Sequence, residues 1–253
     1  MNKVLTALYK IAADMSIDWN KVPKTRLRKG FTPVPNIVGV PDIENIMKFV
    51  GKWESSRIGA DGRHYPYKDK LTGTPTFLYG DTNPELINRY AYEGMDEASA
   101  QRMFAKRLMQ YRGEFNRNFG RYIKDMPSDI AVSMNSLYYN MGYPRFNRAF
   151  GKALRNRDYK SIPRLIRDSA FYYAPVAGVP AALDKNIGRP STNTTVTGRD
   201  GKSYRYNPKK DQWSVKTWSK GLSDRREEEA TMFERGLAAM KQPKPEPVVV
   251  ASR

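Results

Sequence analysis

The apolar residues before Glu54 recur at the spacing of one helix face. They are Ile43, Ile46, Met47 and Val50, and they lead directly into Trp53 and Glu54. We therefore expect a helix that ends near Glu54 and delivers its carboxylate to the start of the next segment.

Two longer apolar stripes follow. Asp96 is a plausible N-cap for a long helix whose apolar face comprises Ala100, Met103, Phe104, Leu108 and Tyr111. After Pro127, a second stripe predicts a buried central helix, with Gly142 as the left-handed residue that commonly ends one. Shorter helices are expected at about 146–155 and 161–172, and a last helix from Asp224 to about Leu237.

Two segments carry turn residues and alternation instead of helical spacing. Residues 57–82 are crowded with Gly, Pro, Thr and Tyr, and Asp61-Gly62 is a typical turn pair, which predicts a small β-hairpin region. Residues 189–219 alternate at Tyr204 and Tyr206, which predicts an inserted element of two or three strands. No internal repeat is evident.

The chain ends differ from this middle part. An apolar stripe within residues 1–16 fits a short helix, and residues 17–45 are rich in Pro and basic groups, which favours an extended arm or linker. We therefore expect a basic, Pro-rich arm over 1–45, a main domain over 46–238 and an extended tail over 239–253. The fold class expected for the domain is α+β, mainly α: a small β lobe, a long connecting helix and a helical lobe. The expected β lobe covers 57–82, the helical lobe 96–188 and 220–238, and its β insertion 189–219.

Composition narrows the chemistry. Among 253 residues, Lys and Arg number 44 against 26 Asp and Glu, and the formal charge of +18 indicates an anionic partner. Nucleic acid is one such partner, and a bacterial envelope is another. The absence of Cys excludes disulfides and Cys-based zinc sites, and a single His64 cannot build a metal cluster, so we expect no metal and no cofactor. His64 is expected to be a packing or hydrogen-bonding residue, and no apolar run is long enough for a transmembrane segment.

A pair of carboxylates suggests glycosidic-bond cleavage, which needs one acid and a second carboxylate that activates water or attacks the sugar. Glu54 suits the first role because it lies beside Trp53, where apolar surface favours the protonated form. Asp69, inside the expected hairpin region, suits the second. For each carboxylate the alternative is a solvated surface charge.

The order of residues around this pair resembles the signature of the phage-type lysozymes, glycoside hydrolase family 24. That signature runs Glu, Tyr-x-Asp, Gly, Thr and Gly, and this chain has Glu54, Tyr67-Lys68-Asp69, Gly73, Thr76 and Gly80. The segments SLYYNMG at 136–142, MDEASAQRMFAKRL at 95–108 and GLSDRREEEATMF at 221–233 are similar to further family motifs. The resemblance covers roughly residues 45–235.

The resemblance implies a lysozyme-like, two-lobed fold and three catalytic roles. Glu54 would be the general acid, Asp69 the base that positions a water, and Thr76 the hydroxyl that helps to hold that water. It also implies inversion, with carboxyl groups about 6.5–9.5 Å apart. We further expect substrate contacts from Tyr67, Tyr79 and Asn140.

Some departures leave alternatives open. The stretch from Ser55 to Lys68 is longer than the family's usual spacing, so Asp61 is a second candidate for the base, and Thr74 competes with Thr76. Asp81 stands where the family often has His. In the insertion, aromatic and basic residues either stack on sugars and pair with phosphates or pack the strands: Tyr204, Arg205, Tyr206, Trp213, Lys216 and Trp218.

The expected function is a phage-encoded muramidase that hydrolyses the β-1,4 bond between N-acetylmuramic acid and N-acetylglucosamine in peptidoglycan. It would act from the virion, attached to other virion proteins through the arm or tail, or from the host cytoplasm as a lysis enzyme. The alternative is a structural virion protein that binds wall or nucleic acid without catalysis. No nucleic-acid-binding signature occurs, so no specific nucleic acid is expected.

Overall fold

The computed structural model describes residues 17–29, 41–69, 73–176, 178–183, 187, 190–192, 194–209, 211–218 and 220–241. The helix expected within 1–16, the arm at 30–40 and most of the tail lie outside this range. The chain is a mixed α+β protein, mainly helical, and divides into two compact units, residues 1–143 and 144–253. No helix among the described residues has both the length and the apolar character needed to cross a bilayer.

The first unit combines short strands with long helices. Its elements, in chain order, are β1 (Arg26–Lys29), α1 (Pro41–Trp53), β2 (Ser55–Ile58), β3 (Tyr67–Lys68), β4 (Pro75–Thr76), α2 (Pro84–Tyr90), α3 (Glu97–Phe115), a π-helical turn (Asn116–Gly120), α4 (Arg121–Ile123) and the first part of α5 (Ser128–Arg155). The strands form two antiparallel pairs, β1 with β2 and β3 with β4.

Helix α1 confirms the helix predicted before Glu54. Its apolar stripe is buried, and the amide of Glu54 donates to the Val50 carbonyl at 3.0 Å, which continues the helical pattern by one residue. Helix α3 begins as predicted, because the Asp96 carboxylate accepts from the Ser99 amide at 2.8 Å and satisfies a free N–H of the first turn.

Strand β1 corrects the prediction of an extended arm over 1–45. It pairs antiparallel with β2, with Arg26 opposite Ile58 and Lys29 opposite Ser55. The prolines at 23 and 33 lie outside the strand, so its four residues keep every amide that the ladder needs. Pro41 occupies the first position of α1, where its missing N–H costs nothing. Residue 45 therefore falls inside a helix and marks no structural boundary.

Helix α5 bends where the sequence predicts an end. Gly142 has φ +67° and ψ 166°, which breaks the helical path, and the chain resumes as helix through Pro144 to Arg155. This matches the separate helix expected at about 146–155. The boundary between the two compact units falls just after the same glycine.

The second unit pairs helices with one larger sheet. It contains the rest of α5, a 3-10 turn (Tyr159–Ser161), α6 (Ile162–Asp168), β5 (Phe171–Val176), β6 (Thr194–Thr197), β7 (Ser203–Asn207), β8 (Gln212–Trp218) and α7 (Lys220–Ala239). The sheet is antiparallel in the order β5-β8-β7-β6. Three strands, β6 to β8, therefore lie within the segment 189–219 for which two or three strands are predicted, and β5 adds a fourth strand from residues before it.

Strand β5 corrects the end of the helix predicted at 161–172. Helix α6 stops at Asp168, and Phe171 starts a strand that pairs along its whole length with β8. Consecutive aromatic residues fit a pleated surface as well as a helix face, so the ambiguity is resolved only by the distant partner strand.

Candidate active site

Glu54 lies at the end of α1, half-buried, against a tight turn. The turn is closed by Phe77 and Asp81, which exchange backbone hydrogen bonds of 2.6 and 2.8 Å. Gly80, within it, has φ +86°, and a Cβ placed there would stand 3.9 Å from Oε2 of Glu54. The carboxylate of Glu54 therefore faces the backbone of this turn.

Tyr139 of α5 is the second group that interacts with Glu54. Burial raises the pKa of the Tyr139 phenol far above its usual range, and the negative charge of Glu54 adds to this rise. The phenol donates to the Tyr79 carbonyl at 2.7 Å, immediately before Gly80. Tyr139 therefore remains a hydrogen-bond donor and joins α5 to the turn beside Glu54.

Arg107 of α3 contacts the turn beside Glu54 and the ring of Tyr139. Its Nη1 lies 2.9 Å from a carboxylate oxygen of Asp81, and its guanidinium lies 5.7 Å from the ring centroid of Tyr139 and 5.9 Å from that of Tyr111. Asp81 thus forms an ion pair with a largely buried arginine. A small depression beside Gly80 is lined by Leu78, Asp81, Met103, Arg107 and Tyr139 together with the buried rings beneath them.

Asp69 and Thr76 belong to one hairpin, β3–β4. Tyr67 stands opposite Thr76 in the ladder, and the amide of Asp69 donates to the Thr74 carbonyl at 2.9 Å. The buried Thr76 hydroxyl donates to the same carbonyl at 3.0 Å. Thr76 directly precedes the turn that faces Glu54, so the hairpin with the predicted base and hydroxyl leads directly into the turn beside the predicted acid.

Asp61, the alternative base, has a structural role. Its carboxylate accepts from the Tyr65 hydroxyl at 2.7 Å and from the Arg63 amide at 3.0 Å, and the Tyr65 bond is the main reason that the pKa of Asp61 is lowered. Gly59 donates to the Arg63 carbonyl at 2.9 Å, and Gly62 has φ +76°. The carboxylate thus closes a tight turn.

The same turn occurs a second time in the other unit. Its residues follow the pattern Gly-x-Asp-Gly-x-x-Tyr, found at 59–65 and at 198–204. In the second copy Asp200 accepts from the Tyr204 hydroxyl at 2.7 Å and from the Lys202 amide at 3.1 Å, and Gly201 has φ +74°. The chain therefore contains a repeat of seven residues, contrary to the expectation that none is evident. The turn that this repeat forms explains the presence of Asp61 without a catalytic role.

The predicted substrate-binding residues have different positions. Tyr79 is 3% exposed, and its ring packs 4.4 Å from the ring of Phe104, so its side chain cannot offer a face to a sugar. We correct that prediction: only its backbone carbonyl takes part, through Tyr139. Tyr67 is half-exposed, with the Arg57 guanidinium 5.5 Å from its ring, and Asn140 is exposed near the bend of α5. For both, a substrate contact stays a prediction.

A polar network around the buried His64 joins β1, β2 and the start of α3. His64 is fully buried, and its Nδ1 is 2.7 Å from the Ser56 hydroxyl while its Nε2 is 2.9 Å from the Glu97 carboxylate. Arg28 of β1 pairs with the same carboxylate, and Gln101 donates to it at 2.7 Å. The hydrogen bond from His64 is the largest cause that lowers the pKa of Glu97, to about 2. The prediction that His64 is a hydrogen-bonding residue is confirmed.

Tyr139 and Arg107 are site residues that the sequence prediction missed. Tyr139 follows the fully buried Tyr138, and adjacent helical residues point about 100° apart, so the pair must face two directions. Arg107 precedes the buried Leu108 and lies four residues before Tyr111, which places it at the edge of the apolar stripe. The sequence shows both as polar groups beside an apolar face, but it does not show that either of them faces the site.

The described residues contain no group of three or more His, Cys, Asp or Glu side chains that could hold a metal ion. Compared with known proteins, the chain matches no family model, no curated protein and no solved structure.

Proposed function

We propose that this chain is a muramidase that hydrolyses the β-1,4 bond between N-acetylmuramic acid and N-acetylglucosamine in bacterial peptidoglycan. The observation that carries the proposal is the position of Glu54: its carboxylate faces the turn at Gly80, which follows directly on the hairpin that bears Asp69 and Thr76. A proton donor and a second carboxylate on adjoining segments are the groups that glycoside hydrolysis requires.

In the proposed reaction, protonated Glu54 gives its proton to the glycosidic oxygen as the bond to the anomeric carbon breaks. A water, held by Asp69 and Thr76, attacks that carbon from the opposite face, and Asp69 takes the proton of the water. The products are a free hydroxyl on one sugar and an inverted, reducing end on the other. Such a reaction requires the two carboxyl groups to stand about 6.5–9.5 Å apart.

Tyr139 and Arg107 are the proposed positioning residues. Tyr139 joins α5 to the Tyr79 carbonyl, and Arg107 joins α3 to Asp81, so the turn that faces Glu54 is fastened at two points. A fixed turn keeps the distance between acid and hairpin constant, and catalytic groups lose rate when they move by about 1 Å.

A lysozyme-like architecture is part of the proposal. Strands β2 to β4 would form the small β lobe, and α3 the connecting helix. We place the protein in a phage, acting on the wall from the virion at entry or from the host cytoplasm at release. The formal charge of +18 supports an anionic substrate such as the wall, because such a field concentrates a protein near polyanions.

The test is release of soluble fragments from purified sacculi by the parent and by Glu54→Gln. The amide keeps the shape of the side chain but has no acidic proton, so we expect the rate to fall about 100- to 10,000-fold. Glu93→Gln, an exposed carboxylate of the same unit, is the control and should cleave like the parent.

The chemistry of the new ends sharpens this test. Hydrolysis leaves reducing muramic ends, which borohydride converts to the sugar alcohol, and mass spectrometry detects the added mass. Glu54→Gln as active as the parent, or products that carry only 1,6-anhydro ends formed without water, would contradict the proposal.

A further inference from the structure

The two faces of the four-stranded sheet in the second unit differ in character. Tyr204, Tyr206 and Trp213 are buried and form a core cluster with Leu183, against which Val196 and Val215 also pack. Side chains alternate between the faces of a strand, so the residues between them lie on the opposite face. The residues predicted to bind sugars or phosphates thus divide: Tyr204, Tyr206 and Trp213 pack the sheet, and Arg205, Lys216 and Trp218 do not.

The opposite face, which we call the open face, carries a row of rings. Phe171 stands opposite Trp218 in the ladder, and their ring centroids are 6.1 Å apart with the rings at 69°. Tyr173 lies next to Phe171, 5.9 Å away between centroids. Trp218 is 56% exposed, which is high because tryptophan side chains are on average largely buried.

Three cations lie among these rings. Arg145 of α5 is one of them, with its guanidinium 5.3 Å from the ring centroid of Phe171. Lys216 Nζ is 4.1 Å from the ring centroid of Phe171 and 5.3 Å from that of Trp218, and the Arg205 guanidinium is 5.7 Å from Tyr173. Six further described positions on this face carry neutral hydrogen-bonding side chains: Thr195, Thr197, Ser203, Asn207, Gln212 and Ser214. No acidic residue occurs among the described positions of the open face.

We propose that the open face binds the glycan strand of peptidoglycan. The identity of this polymer, although not the existence of a binding face, rests on the proposed function. Rings offer flat apolar surfaces to the C–H faces of sugars, and Trp and Tyr add a polar edge. Hydroxyl and amide side chains pair with sugar hydroxyls and N-acetyl groups, while Arg205 and Lys216 complement the carboxylates of the peptides attached to the muramic acids.

The balance of charges on the open face favours a glycan over single-stranded nucleic acid. A site for single strands combines stacking rings with a basic groove that follows a phosphate at every nucleotide. Here three cations, Arg145, Arg205 and Lys216, lie beside six neutral hydrogen-bonding side chains, which suits a polymer with many hydroxyls and occasional carboxylates. A second contact with the wall would keep the enzyme on its substrate between cleavage events.

Binding to purified sacculi by co-sedimentation tests the inference, with every variant built on Glu54→Gln so that the polymer stays intact. We expect Trp218→Ala to weaken binding about five- to tenfold, the usual range for one aromatic contact. Arg205→Gln combined with Lys216→Gln should weaken it further at low salt and less at high salt, because salt screens the lost attraction.

Two controls match these changes. Tyr92→Ala removes an aromatic ring of similar exposure in the other unit, and Lys209→Gln removes a cation from the turn between β7 and β8. Both should bind like the Glu54→Gln parent. Trp218 is largely exposed, so its variant should fold, and an unchanged melting temperature verifies this.

The outcomes separate this inference from the muramidase proposal. Sacculus binding that depends on Trp218 supports it, even where the protein with Glu54 intact releases no fragments and the muramidase proposal fails. Unchanged binding by the Trp218→Ala variant overturns it. Capture of a single-stranded DNA oligonucleotide through Trp218, with no such capture of sacculi, overturns it as well and assigns the face to nucleic acid.

Discussion

The turns at 59–65 and 198–204 share a sequence pattern and a geometry but lie in different surroundings. In both, a glycine amide closes the loop, an aspartate accepts from a tyrosine hydroxyl at 2.7 Å, and a second glycine takes a positive φ. The residue before the tyrosine differs: it is the buried His64 in one and the partly exposed Ser203 in the other. Local sequence therefore determines the turn, while the residue before the tyrosine determines what the turn is joined to.

Through His64, the first turn is connected to the rest of its unit. His64 forms a backbone bridge with Met95 and a side-chain bond with Glu97 at the start of α3, so the turn is fastened to the helix that carries Arg107. The second turn instead joins β6 to β7, and Arg199 donates to the carbonyls of residues 181 and 182 at 3.0 and 2.9 Å. The aspartate has the same task in both places.

The largest effect on activity is expected at Asp69, the proposed base, and not at Asp61, the carboxylate that closes a turn. Asp69→Asn should lower fragment release from sacculi about 100- to 10,000-fold, because an amide cannot take a proton from water. Asp61→Asn should keep most of the parent's activity, and Asp200→Asn, its equivalent in the second turn, should behave in the same way. Loss of activity in the Asp61 variant alone would assign the base to Asp61 and remove the parallel between the two turns.

A smaller effect is expected from the first glycine of each turn. A Cβ on Gly59 would stand 2.7 Å from an Asp61 oxygen and 2.8 Å from the Tyr65 ring, and one on Gly198 would stand 2.7 Å from both equivalents. Either alanine must push apart the aspartate and the tyrosine that hold the turn. We expect Gly59→Ala and Gly198→Ala each to lower the free energy of unfolding by about 1–2 kcal/mol, measured in urea.

The comparison between those two alanines is itself the control. Equal losses, within about 0.5 kcal/mol, agree with a turn whose stability is local. A loss confined to Gly59→Ala would instead show that the connection through His64, absent from the second turn, determines the cost.

The smallest effect concerns pH. In the folded protein the pKa of Glu97 is lowered from 4.5 to about 2, chiefly by its hydrogen bond with His64. A lowered pKa means that the stabilisation is complete above the unfolded value of 4.5 and is lost as the pH falls towards 2. Because Glu97 is partly exposed, we expect only about 1 kcal/mol over this range.

Glu97→Gln tests this contribution. The free energy of unfolding of the variant should depend less on pH than that of the parent between pH 4.5 and about 2, the range that Glu97 spans. Glu93→Gln, exposed and in the same unit, should keep the parent's slope. If the free energies of unfolding of the parent and the Glu97 variant change with pH in parallel, the network does not contribute to the pH dependence of stability in this range.

The sequence predicted those parts of the fold that depend on near neighbours. The end of α1 at Glu54, the N-cap at Asp96 and the bend at Gly142 each follow from a few adjacent residues, and each is found in the structure. Strands β1 and β5 were not predicted, because the residues of each pair with residues 26 to 47 positions away in the sequence. Hydrophobic spacing carries no information about such pairings.

The candidate site shows the same division. Asp69 and Thr76 fall on one hairpin, as the turn residues between them indicate, and Glu54 lies at a helix end. The sequence predicts a substrate contact for Tyr79, but the ring of Tyr79 is buried in the interior. The sequence does not predict a site role for Tyr139, which follows the buried Tyr138. Which of two adjacent tyrosines faces a site depends on how helices pack, and a single sequence does not contain that information.

The pairing of β1 with β2 has a mechanical consequence. Strand β2 starts at the residue after Glu54, and β1 borders it through four pairs of residues. A pulling force on the chain ahead of Arg26 would act on this ladder first, and the end of the ladder is one peptide bond from Glu54. A shortened version that starts at residue 46 would strip the ladder and leave β2 with a bare edge that invites aggregation. A minimal active fragment should therefore begin upstream of Arg26.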